Sequence, residues 1–216
     1  MRKFDLIVFD WDGTLMDSAG TIARCVQNAF ADLALPVPSD AQARYIIGLG
    51  MEDAMRYLCP DLPLSDYQRV AERYRHHFLR CEHEPVLFEE VALLLELLKN
   101  EGYLLAIATG KSRVALDRVL AQTDLTHWFD VSRCADECFS KPHPAMLYEI
   151  MESLYISPEK TLMVGDTTHD LQMAINANCS AIAVECGAHE REALEKLSPL
   201  TCLTEIKILR QWLTGS

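Results

Sequence analysis

The chain has 216 residues, 50% of them hydrophobic and 24% charged, a composition typical of a folded globular protein with one core domain and room for an insertion. The formal net charge of −12 argues against a nucleic acid or an anionic membrane as a partner, because both require a basic surface. An acidic chain that binds phosphate must therefore build a local positive site from a metal ion and a few basic residues.

The sequence also bears on the compartment in which the protein works. No stretch approaches the roughly 20 consecutive apolar residues that a membrane-spanning helix requires. Asp5, Asp10 and Asp12 interrupt the first apolar run, so we expect no signal peptide. The eight cysteines are scattered without a Cys-x-x-Cys pair, which favours reduced thiols and a cytoplasmic protein.

The first predicted element is a strand over Leu6–Phe9, an apolar run too short for a buried helix. Uninterrupted runs of this kind suit a strand that is covered on both faces, as in a parallel sheet. The strand ends at Asp10 and Asp12, whose side chains lie on the same side if the chain stays extended, and Gly13 then allows a turn. We expect both carboxylates to face one reacting group, because open α/β sheets bind ligands at the carboxyl ends of their strands.

Four helices are predicted after this strand. Apolar residues at helical spacing indicate the first over about 18–34, and Met51–Leu58 has the pattern of the third. Capping-box patterns at Ser39–Gln42 and Ser65–Gln68 open the second and the fourth. Four consecutive helices with no strand between them predict an inserted α-helical domain over residues 16–85.

From residue 86 onward, strands and helices alternate. Strands are predicted at Tyr103–Ala108, near 129–132, at Thr161–Val164 and at Ala181–Val184; helices are predicted at Val91–Leu98, about 112–122, Pro144–Leu154 and from beyond Asp166 to about Asn176. This order implies an α/β fold with a doubly wound parallel sheet. The chain after about Cys186 has no assignment.

Three short motifs follow predicted strands: Thr109–Gly110, Lys141–Pro142 and Gly165–Asp170. Together with Asp10–Thr14, and in this order, they resemble the four motifs of the haloacid dehalogenase (HAD) superfamily. The resemblance extends to about Val184 and is similar to the subgroup that carries a helical cap after its first motif. It implies a Rossmann-like HAD core formed by residues 1–15 and 86–216, and a hydrolase, most often a Mg²⁺-dependent phosphatase.

The resemblance also implies a role for each matched residue. Asp10 would be the nucleophile that forms an aspartyl-phosphate intermediate. Asp12 would protonate the leaving oxygen and then remove a proton from the water that hydrolyses the intermediate. Thr109, Gly110 and Lys141 would bind the phosphoryl oxygens, Thr109 with help from backbone amides at the start of the next helix.

A metal site is implied by the same motifs. A carboxylate that attacks a phosphate dianion is repelled by it, so a divalent cation is needed between them. The ligands would be the carboxylates of Asp10 and Asp166 and the backbone carbonyl of Asp12, which are hard oxygen donors of the kind that Mg²⁺ prefers. Asp170 is expected one step outside these ligands, in the first turn of a helix whose dipole favours an acid there.

Four neighbouring residues are expected to have structural roles. His169 is assigned to a surface or helix-start position, and Trp11 to packing. Lys111 and Arg113 could add positive potential at the rim of the site, but solvated charges are the more common situation for such residues. None of the four is included among the catalytic residues.

Three functions remain open from the sequence. The first is a phosphatase for small phosphomonoesters, similar to phosphoglycolate phosphatases; the second is a phosphosugar mutase of the same fold. The third is a catalytically silent binding protein. Mutases tend to have valine where Thr14 stands, which favours hydrolysis.

The expected partner is a small phosphorylated metabolite, and the expected state is a monomer or weak homodimer. The loop Gly48–Met51 would lie nearest the substrate, with a plain interhelical turn as the equal alternative.

Overall fold

The structure, a computed structural model, describes residues 2–81 and 86–215. Its centre is a six-stranded sheet in which every neighbouring pair of strands is parallel. The strands are β1 (Leu6–Phe9), β2 (Leu104–Thr109), β3 (Val131–Cys134), β4 (Thr161–Gly165), β5 (Ser180–Val184) and β6 (Cys202–Leu203), in the order β3-β2-β1-β4-β5-β6. The predicted doubly wound parallel sheet is confirmed.

Helices cover both faces of this sheet. They are α5 (Val91–Asn100), α6 (Arg113–Thr123), α7 (Ala145–Leu154), α8 (Thr168–Asn176), α9 (Arg191–Glu195) and α10 (Leu209–Thr214). Ile7 and Phe9 pack into one hydrophobic cluster with α5, α6 and α10, whereas Leu6 and Val8 pack into another with α7 and α8. The continuous apolar run of β1 is explained by this burial on two sides.

Four helices separate β1 from β2: α1 (Ala19–Asp32), α2 (Asp40–Tyr45), α3 (Met51–Leu58) and α4 (Leu64–Cys81). They share a hydrophobic cluster that contains Phe30, Val70 and Phe78. The capping box predicted at the start of α2 is present, with Ser39 and Gln42 bonded reciprocally. The predicted end of the insertion, residue 85, lies outside the described residues.

Three parts of the sequence reading differ from the structure. The fourth helix begins at Leu64, so the predicted cap Ser65 lies inside it and the capping box at Ser65–Gln68 does not open it. The strand predicted near 129–132 is shifted, because the Asp130 carboxylate accepts a hydrogen bond from the backbone of Leu105 at 2.8 Å and regular pairing begins only at Val131. The unassigned tail adds α9, β6 and α10, and β6 extends the sheet by one short strand. Among the described residues, no helix combines the length and apolarity that a membrane crossing would need.

Candidate active site

Three buried carboxylates lie together at the carboxyl edge of the sheet. Asp10 follows β1, Asp166 follows the adjacent strand β4, and Asp170 lies in the first turn of α8. One carboxylate oxygen from each lies within 4.8 Å of the others. The parallel pairing of β1 with β4 produces this convergence, since the carboxyl ends of parallel strands meet at one edge.

Lys141 supplies the positive charge next to this cluster. Its ammonium nitrogen lies 2.6 Å from Asp10 Oδ1 and 2.6 Å from Asp170 Oδ1, and its side chain is fully buried. Burial alone would lower the pKa of Lys141, but the two carboxylates outweigh it and hold the pKa above its usual value. Lys141 therefore remains an ammonium group at neutral pH.

The carboxylates themselves are held in an unfavourable environment. Burial raises the pKa of Asp10 to about 7, against the opposing effect of Lys141 and with added repulsion from Asp170. Burial and the charges of Asp10 and Asp170 also raise the pKa of Asp166. Asp10 Oδ2 is buried and has no hydrogen-bond partner. A hard divalent cation such as Mg²⁺ fits this donor set, because it would neutralise the repulsion and bind the unpartnered oxygen.

Asp166 is fixed by its contacts with two loops. Thr14 Oγ1 donates to its Oδ1 at 2.7 Å, and the backbone amide of Ala188 donates to its Oδ2 at 2.7 Å. A Cβ atom at Gly13 would lie 2.2 Å from Asp166 Oδ2, and one at Gly187 would lie 2.0 Å from the same atom. Only glycine fits at these two positions, because the backbone passes directly against the carboxylate.

Replacing Gly187 by alanine is therefore expected to displace Asp166. The new methyl group would also meet the Asp166 Cβ atom at 2.3 Å, so a rotation of the carboxylate alone cannot relieve the clash. We expect the Mg²⁺ concentration for half-maximal activity to rise by roughly 10- to 100-fold, as for other losses of ligand support. Gly20→Ala in α1 is the control, since its Cβ would meet no atom closer than 3.6 Å. An unchanged Mg²⁺ requirement in Gly187→Ala would contradict this role.

Asp12 lies beside the cluster but forms different contacts. Ser18 Oγ donates to its Oδ1 at 2.6 Å, and the ammonium nitrogen of Lys111 lies 3.0 Å from its Oδ2. The side chains of Lys111 and Asp12 are only 8% and 10% exposed. Lys111 is thus a buried partner of a motif residue, and the expectation that it is solvated is wrong. Arg113 points elsewhere, with its guanidinium on Glu137 and Ser132.

The predicted phosphate-binding residues border this region. Thr109 is buried at the end of β2, and its hydroxyl accepts a hydrogen bond from the amide of Lys111 at 3.2 Å. Gly110 lies against the loop between α2 and α3, because a Cβ there would be 2.6 Å from the carbonyl oxygen of Gly48. The Gly50 amide donates to Ser140 Oγ at 2.6 Å, next to Lys141. The loop Gly48–Met51 therefore contacts the segments that carry two of the predicted phosphate ligands.

The two carboxylate oxygens of Asp170 make different contacts. Thr167 and Asp170 form a capping box at the start of α8, in which Asp170 Oδ2 accepts from the amide and the hydroxyl of Thr167 at 3.1 and 2.6 Å. Its Oδ1 faces Lys141 and belongs to the acidic cluster. The sequence reading placed Asp170 outside the metal ligands; its position makes it a further candidate ligand.

A model of the haloacid dehalogenase-like hydrolase family matches residues 7–184, which is well over half of the chain. The chain belongs to the haloacid dehalogenase-like hydrolase family. The match includes all the motif residues described above, from Asp10 to Asp170. Gly187, Ala188 and His189, which contact Asp166 or its neighbours, lie just beyond the matched segment.

Relatives of this hydrolase extend over nearly the whole chain. It is 36% identical over 201 residues to the probable phosphatase IndB of Dickeya dadantii, with 90% of this chain and 86% of that protein covered. It is 31% identical over 213 residues to the phosphoglycolate phosphatase of Aliivibrio fischeri, with 94% of each covered. A crystal structure of a predicted phosphoglycolate phosphatase from Haemophilus somnus superposes with a TM-score of 0.84 at 25% identity, with 98% and 99% covered.

One histidine of this hydrolase lies at a helix start, as expected, but it is buried. His169 is buried at the start of α8, where its Nε2 donates to the carbonyl of Tyr45 at 2.7 Å; His189 Nε2 donates to the same oxygen at 3.1 Å. Tyr45 is the last residue of α2, where carbonyl groups lack intrahelical partners. Burial lowers the pKa of His169 to about 4 and also lowers that of His189, so both rings are neutral at physiological pH. The helix-start alternative is confirmed, and the surface alternative is wrong because α2 covers this helix start.

Proposed function

We propose that the protein is a Mg²⁺-dependent phosphatase that hydrolyses small phosphomonoesters through an aspartyl-phosphate on Asp10. The observation that carries this proposal is the unpartnered Asp10 Oδ2 inside a cluster with Asp166, Asp170 and Lys141. The curated relatives described above are named phosphatases, and two of the proteins compared are described as phosphoglycolate phosphatases. These names support a phosphoric monoester hydrolase of haloacid dehalogenase type.

In this proposal each residue has a defined role, and Asp10 and Asp12 have more than one. An Asp10 carboxylate oxygen attacks phosphorus, while the ammonium of Lys141 and the hydroxyl of Thr109 bind phosphoryl oxygens. Asp12 gives its proton to the leaving oxygen and later takes one from water, so that the same side chain serves both half-reactions. Asp10, Asp166 and Asp170, with the Asp12 carbonyl, would hold Mg²⁺, which supplies charge neutralisation between the nucleophile and the phosphate when bound.

The inserted helices, residues 16–85, are proposed to form a cap over the core of residues 1–15 and 86–216. Three contacts support this division: Gly48 on Gly110, Gly50 on Ser140, and the Tyr45 carbonyl on two histidines. A cap in this position would exclude water during phosphoryl transfer and open for release. It also limits substrate size, which favours small metabolites. The eight free cysteines fit a reducing, cytoplasmic compartment.

A phosphate-release screen over a panel of metabolite phosphates, with and without Mg²⁺, tests the proposal. We expect hydrolysis of one or more short-chain phosphomonoesters that depends on Mg²⁺ and is abolished by a chelator. Ca²⁺ is expected to inhibit, because the larger ion takes more ligands and relaxes the geometry. Conversion of a sugar phosphate to its isomer without phosphate release would support the mutase alternative, and no turnover of any ester would overturn both.

Binding of Mg²⁺ is expected to weaken as the pH falls. The raised pKa of Asp10, about 7, and that of Asp166 mean that these groups hold protons which the metal must displace. In the metal-free protein, the raised pKa of Asp10 contributes stability to the folded state. This contribution is fully present below the pKa that the carboxyl group has in the unfolded chain, and it is lost as the pH rises through about 7. Mg²⁺ therefore removes a repulsion that exists mainly at the higher pH.

Thermal unfolding measures this linkage. We expect saturating Mg²⁺ to raise the melting temperature much more at about pH 8 than at about pH 5.5, with apparent affinity falling roughly tenfold per pH unit for each proton displaced. Asp10→Asn removes one of the titrating carboxylates of this cluster and should therefore flatten the difference. Equal Mg²⁺-induced shifts at both pH values in the unmodified protein would contradict the proposed ligand set.

A further inference from the structure

The last carbonyl group of α2 is bound by two histidines of the core. The Nε2 atoms of His169 and His189 lie 2.7 and 3.1 Å from the carbonyl oxygen of Tyr45. A carbonyl oxygen accepts and cannot donate, so each ring carries a proton on Nε2, and the two donors satisfy both lone pairs of this oxygen. Both histidines are buried, although neither has a role in the chemistry proposed above.

The ring of His189 joins the ends of two helices. Its Nδ1 accepts a hydrogen bond at 3.0 Å from the backbone amide of Thr168, the first residue of α8, while its Nε2 donates to Tyr45. Only the neutral ring with its proton on Nε2 can form both bonds, because Nδ1 must keep a free lone pair. The first amide of one helix and the last carbonyl of another both lack intrahelical partners, and this side chain satisfies both.

The loop that carries His189 is fixed to the core. The preceding residue, Ala188, donates its amide to Asp166 Oδ2 at 2.7 Å, and the amide of His189 donates to the Asp166 carbonyl oxygen at 3.4 Å. Movement of the inserted helices away from the core would therefore break the bonds at Tyr45 and leave the loop bonded to Asp166. The contact has a fixed half on the core and a half that moves with α2.

The side chain of Tyr45 packs on the same two rings. Its ring stacks on that of His189, with centroids 5.4 Å apart and planes at 6°, and lies edge-on to that of His169 at 5.0 Å and 80°. Further along the same segment, the Gly50 amide donates to Ser140 Oγ at 2.6 Å. The backbone that leads from α2 into the following loop is thus attached to the core at two points.

We propose that His169 and His189 are positioning residues that form a clamp on the Tyr45 carbonyl and hold the inserted helices closed over the active site. They take no part in bond making or breaking. Water can replace each partner when the helices open, so the clamp shifts the equilibrium towards the closed form without locking it. The closed fraction then sets the apparent affinity for substrate. This inference rests on the proposed function, because it takes the insertion to be a cap that opens and closes.

Two substitutions of His189 separate the two contacts of its ring. The amide of a glutamine reaches the position of Nε2, so His189→Gln keeps a donor for Tyr45 and loses the acceptor for Thr168. The shorter asparagine reaches only the position of Nδ1, so His189→Asn keeps the acceptor and loses the donor. The clamp therefore predicts a defect in His189→Asn and recovery in His189→Gln.

Steady-state kinetics with the best ester of the phosphate-release screen give the first readout. We expect His189→Asn to raise KM roughly 3- to 10-fold, the equilibrium shift of one net hydrogen bond. Its kcat should stay within about twofold, because saturating substrate restores the closed form. His189→Gln should have a KM within about twofold of that of the unmodified protein, whereas adding His169→Asn to His189→Asn should raise KM further. His127→Asn, at an exposed histidine of the core, is the control and should change neither constant.

Hydrogen exchange of the metal-free protein tests the clamp without turnover. The Gly50 amide is protected by Ser140 on the core, so it reports opening at a distance from the substituted ring. We expect this amide to exchange roughly 3- to 10-fold faster in His189→Asn than in the unmodified protein or in His189→Gln. The amide of Leu105 in β2, which donates to Asp130, is the reference and should exchange equally in all three.

Two results would overturn the inference and leave His189 with a structural role only. One is a KM that is equal in His189→Asn and His189→Gln, or that rises in both in step with a lower melting temperature. The other is unchanged exchange of the Gly50 amide in His189→Asn. If the unmodified protein hydrolyses no ester, the proposed function fails, and the exchange of Gly50 still decides whether the clamp exists.

Discussion

Replacing Asp10 by asparagine is expected to lower kcat by roughly 10⁴-fold or more, the scale seen when a nucleophile is removed. An amide oxygen cannot form a stable acyl phosphate, and the substitution leaves the proposed metal site with one anionic ligand fewer. The protein should still fold, because the change removes a buried carboxylate whose raised pKa reports an unfavourable environment. Kinetics with the best ester from the phosphate-release screen measure the loss.

Asp17→Asn provides the control for this variant. Asp17 is an exposed acid in the same segment of the chain. Its replacement by asparagine removes the same charge but leaves the carboxylate cluster unchanged. Its activity should remain within about twofold of the unmodified protein, as expected for a surface change. Substantial turnover by well-folded Asp10→Asn would refute the nucleophile assignment.

The second large effect is expected for Lys141→Met. The variant leaves the carboxylates of Asp10 and Asp170 buried without the ammonium group that now lies 2.6 Å from each. Breaking a buried pair in this way typically costs about 3–5 kcal/mol of unfolding free energy, because the remaining charges are uncompensated. Turnover should be lost as well, since Lys141 is the proposed cationic ligand of the phosphoryl oxygens.

Urea unfolding in the absence of divalent metal measures the stability term. Lys207→Met is the control, because Lys207 forms an exposed ion pair with Glu89 and such pairs contribute at most about 1 kcal/mol. A change in Lys141→Met no larger than in this control would show that Lys141 does not carry the charge balance of the cluster.

Much of the fold followed from local pattern. The apolar run of β1 predicted a strand covered on both faces, and Ile7 and Leu6 do pack into different clusters. Asp10 and Asp166 follow neighbouring parallel strands and therefore lie close together, although they are far apart in the sequence. The shortest strand, β6, has two residues, too few for a periodicity, and its place depends on pairing with β5.

The contacts that hold the motif residues in position could not be predicted from local sequence patterns. Lys111 and Asp12 are far apart in the chain, and nothing in the local sequence distinguishes this lysine from a solvated one. Gly187 and His189 lie beyond the motifs, and their functions arise from the approach of one loop to Asp166 and to the carbonyl of Tyr45. Tertiary packing decides such contacts, and a single sequence carries no direct signal for them.

Trapping of the phosphoenzyme tests the central proposal most directly. Asp12→Asn cannot supply a proton or activate water, but a substrate with a good leaving group, such as an aryl phosphate, should still phosphorylate Asp10. Acid quenching followed by peptide mass spectrometry is expected to find one phosphate on the peptide that contains Asp10, dependent on Mg²⁺ and absent from the Asp10→Asn/Asp12→Asn double variant. Phosphate release without any covalent label, or a label on a different residue, would contradict nucleophilic catalysis by Asp10.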